Sequence, residues 1–250
     1  MKTYFLTTVF AFCCILFFNS CEKDTINNGE GEQPDNCESA QLWDYPVKPG
    51  MEEWQALDGY PEMVDICQIP EDILFCLSTE NLMKLCLQYP LFKDIYLFNF
   101  IDTGLNKLFN EFNGIREFYK REDMLKELLK YYQDTMQNLS IADAEDIRFQ
   151  FFVSDLEILL SRYHSQNNDA QENYKKILQH LTAGHEKKSV YVDTYTYQYP
   201  WFQSNLYARA KMIIAISPQS IDQIPDEVFG LRANQEAMDI INELSYQLME

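Results

Sequence analysis

The 250-residue sequence contains little glycine and little proline, the two residues that most often form tight turns. It has 8 glycines and 9 prolines, whereas a protein built from many short strands needs such residues at each connection. Leucine, isoleucine, glutamate, lysine and glutamine are frequent instead. The composition therefore argues against an all-β sandwich and favours long regular elements.

Basic residues are also scarce. The chain has 20 lysines and arginines against 39 aspartates and glutamates, which gives a formal net charge of −19. A surface of this charge repels phosphate backbones and anionic lipid head groups. We therefore expect no nucleic-acid partner, although an excess of acid also simply keeps a protein soluble.

Histidine is the rarest of the residues that commonly bind metals or transfer protons. The chain has 3 histidines, and His180 and His185 are separated by five positions, about 140° around a helix, whereas a shared metal needs a spacing of four. We expect His180 to border a core face and His185 to cap a helix end near Gly184. No pair of cysteines has zinc spacing, and no GxSxG, P-loop or dinucleotide motif is present. The sequence therefore predicts no metal site, no cofactor and no assignable catalytic residue.

No apolar run is long enough to cross a bilayer as a helix. The run from Tyr4 to Phe18 has 15 residues, where a spanning helix needs about 20. It follows one lysine and ends just before Ser20 and Cys21, an arrangement that is typical of a bacterial lipoprotein signal, in which a small residue precedes the lipidated cysteine. We predict that residues 1–20 are a signal peptide and that Cys21 carries the lipid. The alternative is an ordinary signal peptide with a chance cysteine.

The residues that follow Cys21 are hydrophilic and acidic. Residues 21–41 contain six acids and one lysine, with almost nothing apolar to bury, so we expect a flexible tether. Several acyl chains at about 0.8 kcal/mol per buried methylene would hold Cys21 in the membrane. Acids directly after the lipidated cysteine also resemble the surface-export signal of Bacteroidetes lipoproteins. That resemblance implies the outer membrane and the cell surface, with the periplasmic face as the alternative.

Four cysteines lie beyond the predicted lipid anchor: Cys37, Cys67, Cys76 and Cys86. They permit three pairings, and an exported protein can be oxidised. The last three lie among apolar residues, where cysteine often serves as a small core side chain. We expect buried thiols, and the disulfide state of the four stays open.

Residues 42–250 show apolar side chains at helical spacing almost throughout. A serine cap at Ser140 and the stripe that ends at Tyr163 predict one long helix, and Asn113-Gly114 predicts a helix end. Residues 206–216 are apolar nearly all round, which indicates a central helix. The other stripes lie at residues 82–89, 101–112, 125–136, 174–181 and 237–248, and short helices are expected to start at Pro61, Pro70 and Pro225. The prediction is a single all-α domain of about eight to ten helices, an irregular bundle or an α–α superhelix.

Three segments of this region resemble a known family. They are WDYPVKPGMEEW at 43–54, IPEDILFCLSTENLMKLCLQYPLFKDI at 69–95 and LNKLFNEFNGIREFYKRED at 105–123. They are similar to a family of uncharacterised Bacteroidetes lipoproteins. The resemblance implies an envelope location and an all-α fold, and it implies no activity and no catalytic residue.

One segment departs from helical spacing. In SVYVDTYTYQYPWF, at 189–202, Tyr195, Tyr197, Tyr199 and Trp201 alternate with other residues, so an extended chain would place the four rings on one face. Such a row could stack on sugar rings or receive a peptide. The alternative is that these aromatic side chains pack on neighbouring helices.

Together these features predict a non-enzymatic protein that is attached to the membrane through its lipid anchor. Its helical domain would bind a glycan, a peptide or another envelope protein, with the aromatic row as the leading site. Two alternatives stay open. One is an enzyme that acts on surface polysaccharide through a pair of its carboxylates, and the other is a structural subunit of an envelope complex.

Overall fold

Helices are the only regular secondary structure in the part of the chain that the structure describes. The structure is a computed structural model that describes residues 37–164, 169–191, 201–230 and 234–249. No strand occurs in these ranges, and the predicted all-α class is confirmed. The α-helices are α1 (Cys37–Ala40), α2 (Glu52–Gln55), α3 (Tyr60–Ile66), α4 (Glu71–Cys76), α5 (Thr79–Leu87), α6 (Ile101–Glu111), α7 (Asn113–Phe118), α8 (Met124–Gln137), α9 (Ile141–Glu145), α10 (Ile147–Ser161), α11 (Ala170–Ser189), α12 (Gln203–Ile216) and α13 (Gln235–Met249). Short 3-10 helices cover Phe92–Leu97, Pro218–Gln223 and Asp226–Val228.

Helix α12 lies at the centre of the bundle. It packs against α10, α11 and α13, and α8 packs against α10 and α11. Side chains on all sides of α12 are buried, including Leu206, Tyr207 and Ile213. The prediction that residues 206–216 form a central helix is therefore confirmed, because a helix enclosed by others can be apolar on every face.

The long helix predicted between Ser140 and Tyr163 is wrong, because the chain forms two helices there. Ser140 caps α9 through a reciprocal capping box with Asp143, as expected. Asp146 then takes an extended conformation, with φ −82° and ψ 110°, and its side chain accepts a hydrogen bond from the backbone N–H of Arg148. A short acidic side chain that bonds to the next turn ends one helix and begins another.

Asn113 and Gly114 lie in the first turn of α7. Helix α6 ends just before them, at Glu111, with Phe112 in an extended conformation between the two helices. The Asn113 side chain accepts a hydrogen bond from Ile69 N–H at 3.1 Å and donates one to the Ile69 carbonyl at 2.7 Å. Gly114 has no room for a β-carbon, because the Phe112 ring occupies that space. The predicted helix end is therefore close to the observed one, but packing contacts give the pair a role at a helix start that a stop signal does not predict.

A disulfide joins α1 to the end of α4. It links Cys37 to Cys76 across a separation of 39 residues, so the expectation of a free thiol at Cys76 is wrong. Cys67 and Cys86 are buried thiols, as expected. Gln41 also donates to the Cys76 carbonyl and accepts from Ser78 N–H. Residues 37–41, which their composition assigns to the tether, therefore belong to the folded body.

The predicted signal peptide, Cys21 and most of the predicted tether lie outside the described residues. Within the part of the chain that is described, no helix has both the length and the apolar character needed to cross a bilayer. The lipid anchor therefore stays a prediction from the sequence.

Candidate functional site

A cleft of about 470 Å³ opens between α5, α8, α9 and α10. Its volume falls in the range of about 300–1,000 Å³ that is usual for small-molecule sites. The cleft combines aromatic, acidic and amide side chains. The lining residues are Glu80, Met83, Glu127, Lys130, Tyr131, Asp134, Thr135, Asn138, Asp143, Phe149 and Phe152.

Three aromatic rings form one wall of this cleft. The Tyr131 and Phe152 ring centroids lie 5.9 Å apart in an edge-to-face arrangement, and those of Phe149 and Phe152 lie 6.0 Å apart with tilted planes. All three side chains are half-buried. Such ring contacts contribute about 0.5–1.5 kcal/mol each beyond the area they bury. The aromatic wall is therefore held in place before any ligand arrives.

Four carboxylates and one ammonium group line the same cleft. Glu80 is paired with Lys84 at 2.6 Å, and this hydrogen bond lowers the pKa of Glu80. Glu127 lies 3.7 Å from the Lys126 ammonium. Lys84 and Lys126 are not part of the lining, and they partly neutralise the two acids with which they pair.

The remaining charged groups of the cleft differ in their contacts. Asp143 is held by its capping box with Ser140. Among the described residues, Asp134 and Lys130 make no ion pair, and both are exposed. Histidine, cysteine and serine are absent from the lining as it is described. The cleft therefore offers apolar surface together with hydrogen-bond donors and acceptors, a combination that is usual in small-molecule sites.

The predicted aromatic row falls mostly on residues that the structure does not describe. Tyr195, Tyr197 and Tyr199 lie outside the described ranges, and their ligand-binding role stays a prediction. Trp201 is described and is only 3% exposed. Its ring centroid lies 4.9 Å from the Lys188 ammonium nitrogen, and its carbonyl accepts a hydrogen bond from that nitrogen at 2.8 Å. At this position the indole packs in the interior, as in the packing alternative.

Lys188 belongs to a buried polar network centred on Glu157. The Glu157 carboxylate accepts hydrogen bonds from Lys188 at 2.6 Å, Tyr132 at 2.9 Å, Ser204 at 2.6 Å and Asn205 at 2.8 Å. All five side chains are buried. Burial lowers the pKa of Lys188, and Glu157 opposes that change. The network joins α8, α10, α11 and α12, so it fixes the helices that carry part of the cleft.

The sequence gives only a faint signal of this network. Glu157 lies inside an otherwise apolar stripe of α10, between Leu156 and Ile158. Lys188 lies in the last turn of α11, where a basic residue is ordinarily explained by the helix dipole. Because the two residues are 31 positions apart, only the packing of the helices shows that they form a pair.

A second buried carboxylate, Asp155, lies on the same helix. It is 1% exposed, accepts a hydrogen bond from Tyr96 at 2.9 Å and pairs with Lys93. Burial raises the pKa of Asp155 to about 6, although Lys93 and Tyr96 act in the opposite direction. The group holds the 3-10 helix Phe92–Leu97 against α10.

The two spaced histidines do not form a common site. The prediction that His185 caps a helix end is wrong, because α11 continues to Ser189 and the His185 ring packs against Phe202. Burial lowers the pKa of His185 to about 3. His180 lies 3.0 Å from the Gln133 side chain. No group of histidine, cysteine and acidic side chains in the described ranges is arranged to hold a metal ion.

Comparison with known proteins identifies no relative of this chain. No family model, no curated protein and no solved structure matches it. The resemblance to Bacteroidetes lipoproteins therefore stays a prediction.

Proposed function

We propose that the protein is an exported lipoprotein, anchored through Cys21 at the outer membrane and facing the cell surface, whose helical domain binds a ligand. The ligand is a glycan, a peptide or a segment of another envelope protein, and the cleft between α5, α8, α9 and α10 receives it. Binding without chemical turnover is the central activity of this proposal.

The disulfide supports export. Disulfides form and persist in oxidising compartments outside the cytoplasm, and the bond between Cys37 and Cys76 lies at the start of the folded body. The sequence before it has the apolar run and the Ser20-Cys21 pair of a lipoprotein signal. The disulfide and the signal-like sequence thus both favour a location outside the cytoplasm.

The aromatic wall of the cleft is the single observation that carries the binding proposal. Tyr131, Phe149 and Phe152 come from two helices and meet at a cleft large enough for a ligand. Half-exposed aromatic rings beside polar groups are enriched at binding sites, because they bury a large area at small entropic cost.

The anchor is tested by replacing Cys21 with serine in the native host. Metabolic labelling with a palmitate analogue should mark the wild-type protein and not Cys21→Ser, and the variant should leave the membrane fraction. Protease treatment of intact cells should degrade the wild-type body. Equal labelling of the two proteins would contradict lipidation at Cys21, and protection until the outer membrane is broken would contradict surface display.

Ligand binding is tested with the mature full chain immobilised and exposed to arrayed glycans, arrayed peptides and solubilised envelope. The wild-type protein should retain a component that Tyr131→Leu retains at least about tenfold less well, since central aromatic contacts often contribute about 2 kcal/mol or more. Phe75→Leu removes an exposed ring elsewhere and serves as the matched control. Equal retention by wild type and Tyr131→Leu would contradict the assignment of the cleft.

One observation favours a second candidate, an enzyme that acts on polysaccharide. Glu127 and Asp134 lie on the same helix as Tyr131 and border the cleft that its ring lines, and paired carboxylates are the usual groups of glycoside hydrolysis. Glycan turnover by the wild type that is lost in Asp134→Asn would favour the enzyme. Binding without turnover favours the lipoprotein that only binds.

A further inference from the structure

We infer that the cleft between α5, α8, α9 and α10 takes an uncharged carbohydrate. This inference rests on the proposed binding function and specifies the chemical class of its ligand. Four properties of the cleft carry it: the aromatic wall, the acidic charge of the lining, the mixture of hydrogen-bond donors and acceptors, and the helical backbone of the segments that line it.

The aromatic wall matches the apolar face of a sugar ring. A pyranose carries C–H groups on its faces and hydroxyl groups around its edge, so it buries a face against an aromatic ring while its hydroxyls remain available for hydrogen bonds. Tyr131, Phe149 and Phe152 supply ring surface along one side of a cleft of about 470 Å³. That volume accommodates more than one sugar residue.

The lining of the cleft is acidic. It carries four carboxylates and one ammonium group, that of Lys130, which gives a formal net charge of −3. Two of the carboxylates are paired with lysines outside the lining, Glu80 with Lys84 and Glu127 with Lys126. Such a lining repels anionic sugars, whereas its carboxylates accept hydrogen bonds from the hydroxyls of an uncharged sugar.

The polar groups of the cleft are mixed donors and acceptors. The exposed Asp134 carboxylate accepts hydrogen bonds, and the Lys130 ammonium donates them. The Thr135 hydroxyl donates to the Tyr131 carbonyl at 2.8 Å, so its oxygen remains an acceptor. The Asn138 amide donates to the Asp134 carbonyl at 2.8 Å and keeps its own oxygen and second N–H. Sugar hydroxyls donate and accept at the same atom, and therefore they satisfy such a mixed set.

The backbone around the cleft does not suit an extended peptide. Extended peptides bind chiefly by adding a strand to an exposed sheet edge, and no strand occurs in the described ranges. Away from their ends, the main chains of α8 and α10 use their N–H and C=O groups within the helices. An extended peptide would therefore find few main-chain partners here, whereas a carbohydrate needs none.

The test is calorimetric titration of the mature full chain with probes of both classes. The carbohydrate probes are uncharged hexasaccharides of glucose, mannose, xylose and N-acetylglucosamine, and the peptide probe is a hexamer of arginine. Each is titrated at low and at high salt into the wild type, Tyr131→Leu and Asp134→Asn. Phe75→Leu and Asp222→Asn remove a ring and a charge from exposed positions outside the cleft and are the matched controls.

We expect at least one hexasaccharide to bind, with an affinity that salt changes little, because neutral ligands gain nothing from screened charges. Tyr131→Leu and Asp134→Asn should each weaken it by about tenfold or more, and the two controls should bind like the wild type. Circular dichroism of every variant confirms that the fold is retained, so that a loss of binding is a loss at the site.

Three outcomes would overturn the inference. Carbohydrate binding that both cleft variants retain would place the site elsewhere. Binding of the arginine hexamer alone, lost at high salt and in Asp134→Asn, would assign the cleft to a cationic segment and leave the proposed binding function standing. Failure of every probe would overturn the carbohydrate assignment, and if glycan arrays, peptide arrays and envelope extract also gave no ligand, the proposed function would fail as well.

Discussion

Replacing Glu157 by glutamine tests how buried charges hold the central helices together. The substitution keeps the size of the side chain but removes the negative charge that faces the fully buried Lys188 ammonium 2.6 Å away. Lys188 would keep only neutral acceptors, the introduced amide oxygen and the Trp201 carbonyl at 2.8 Å. A charged ammonium in this fully buried position is then strongly disfavoured, because no negative charge of a paired carboxylate compensates for its desolvation.

The loss of stability caused by Glu157→Gln has an upper bound. A lysine that cannot stay charged gives up its proton, and neutralising a group of pKa about 10.4 at pH 7 costs about 1.4 kcal/mol per unit, or about 5 kcal/mol. Removing one partner of a buried ion pair typically costs about 3–5 kcal/mol. We therefore expect Glu157→Gln to lower the free energy of unfolding by about 3–5 kcal/mol at neutral pH.

The pH dependence of this loss has a definite sign. In Glu157→Gln the folded-state pKa of Lys188 falls further below its unfolded value, so the unfolded chain binds more protons than the folded one. The free energy of unfolding of the variant therefore rises with pH. The deficit relative to wild type should shrink as pH rises from 7 towards the ordinary lysine pKa of about 10.4.

Urea denaturation followed by far-ultraviolet circular dichroism, with the disulfide intact, measures both effects. Glu157→Gln combined with Lys188→Met removes both charges of the pair but keeps an amide acceptor for the buried Tyr132 and Ser204 hydroxyls. It should recover part of the lost stability, since neither member of the pair is left as an uncompensated charge. Glu80→Gln breaks an exposed pair and is the control, with no measurable change expected. A loss below about 1 kcal/mol for Glu157→Gln, typical of exposed pairs, would contradict a strong buried pair.

Three further substitutions give separate expectations. Cys37→Ser opens a disulfide loop of 39 residues and should lower the free energy of unfolding in urea by about 4 kcal/mol on the chain-entropy account; an unchanged midpoint would contradict it. Burial raises the folded-state pKa of Asp155 to about 6, so the folded chain binds more protons than the unfolded chain between about pH 4 and 6. Over that range the free energy of unfolding of the wild type should fall relative to that of Asp155→Asn as pH rises. Parallel pH profiles of the two proteins would contradict that shift. Gly184→Ala places a methyl group where the Tyr132 hydroxyl lies and should lower the free energy of unfolding by about 1–3 kcal/mol. Gly230→Ala is the control and should lower it clearly less, because the nearest atom to the added carbon is 3.5 Å away. Equal melting temperatures for the two variants would contradict the steric clash.

Local patterns were sufficient to predict the helical class and several helix boundaries. Residues 206–216 are apolar nearly all round, with Arg209 and Lys211 as the exceptions, and a central helix can bury such a segment. Ser140 caps α9 because its hydroxyl needs only a backbone N–H three residues later. Such features depend on residues that are close in sequence, so they can be recognised from the sequence alone.

The cleft could not be predicted in the same way. Phe149 and Phe152 have the spacing of core residues, and nothing in their own helix shows that their rings border an opening. Tyr131 lies on another helix, and only the packing of α8 on α10 brings it to Phe152. The disulfide could not be predicted either, because the acidic residues around Cys37 have the composition of a flexible tether and Cys76 is 39 residues away.

Binding of a ligand in the cleft can be mapped residue by residue in the bound state. Backbone and methyl NMR spectra of the mature chain, recorded with and without the tightest ligand from the arrays, give the footprint of that ligand. We expect shift changes that concentrate at Tyr131, Thr135, Asn138 and Phe152 and that disappear in Tyr131→Leu. A footprint on residues 192–200 with the cleft unchanged would contradict binding in the cleft.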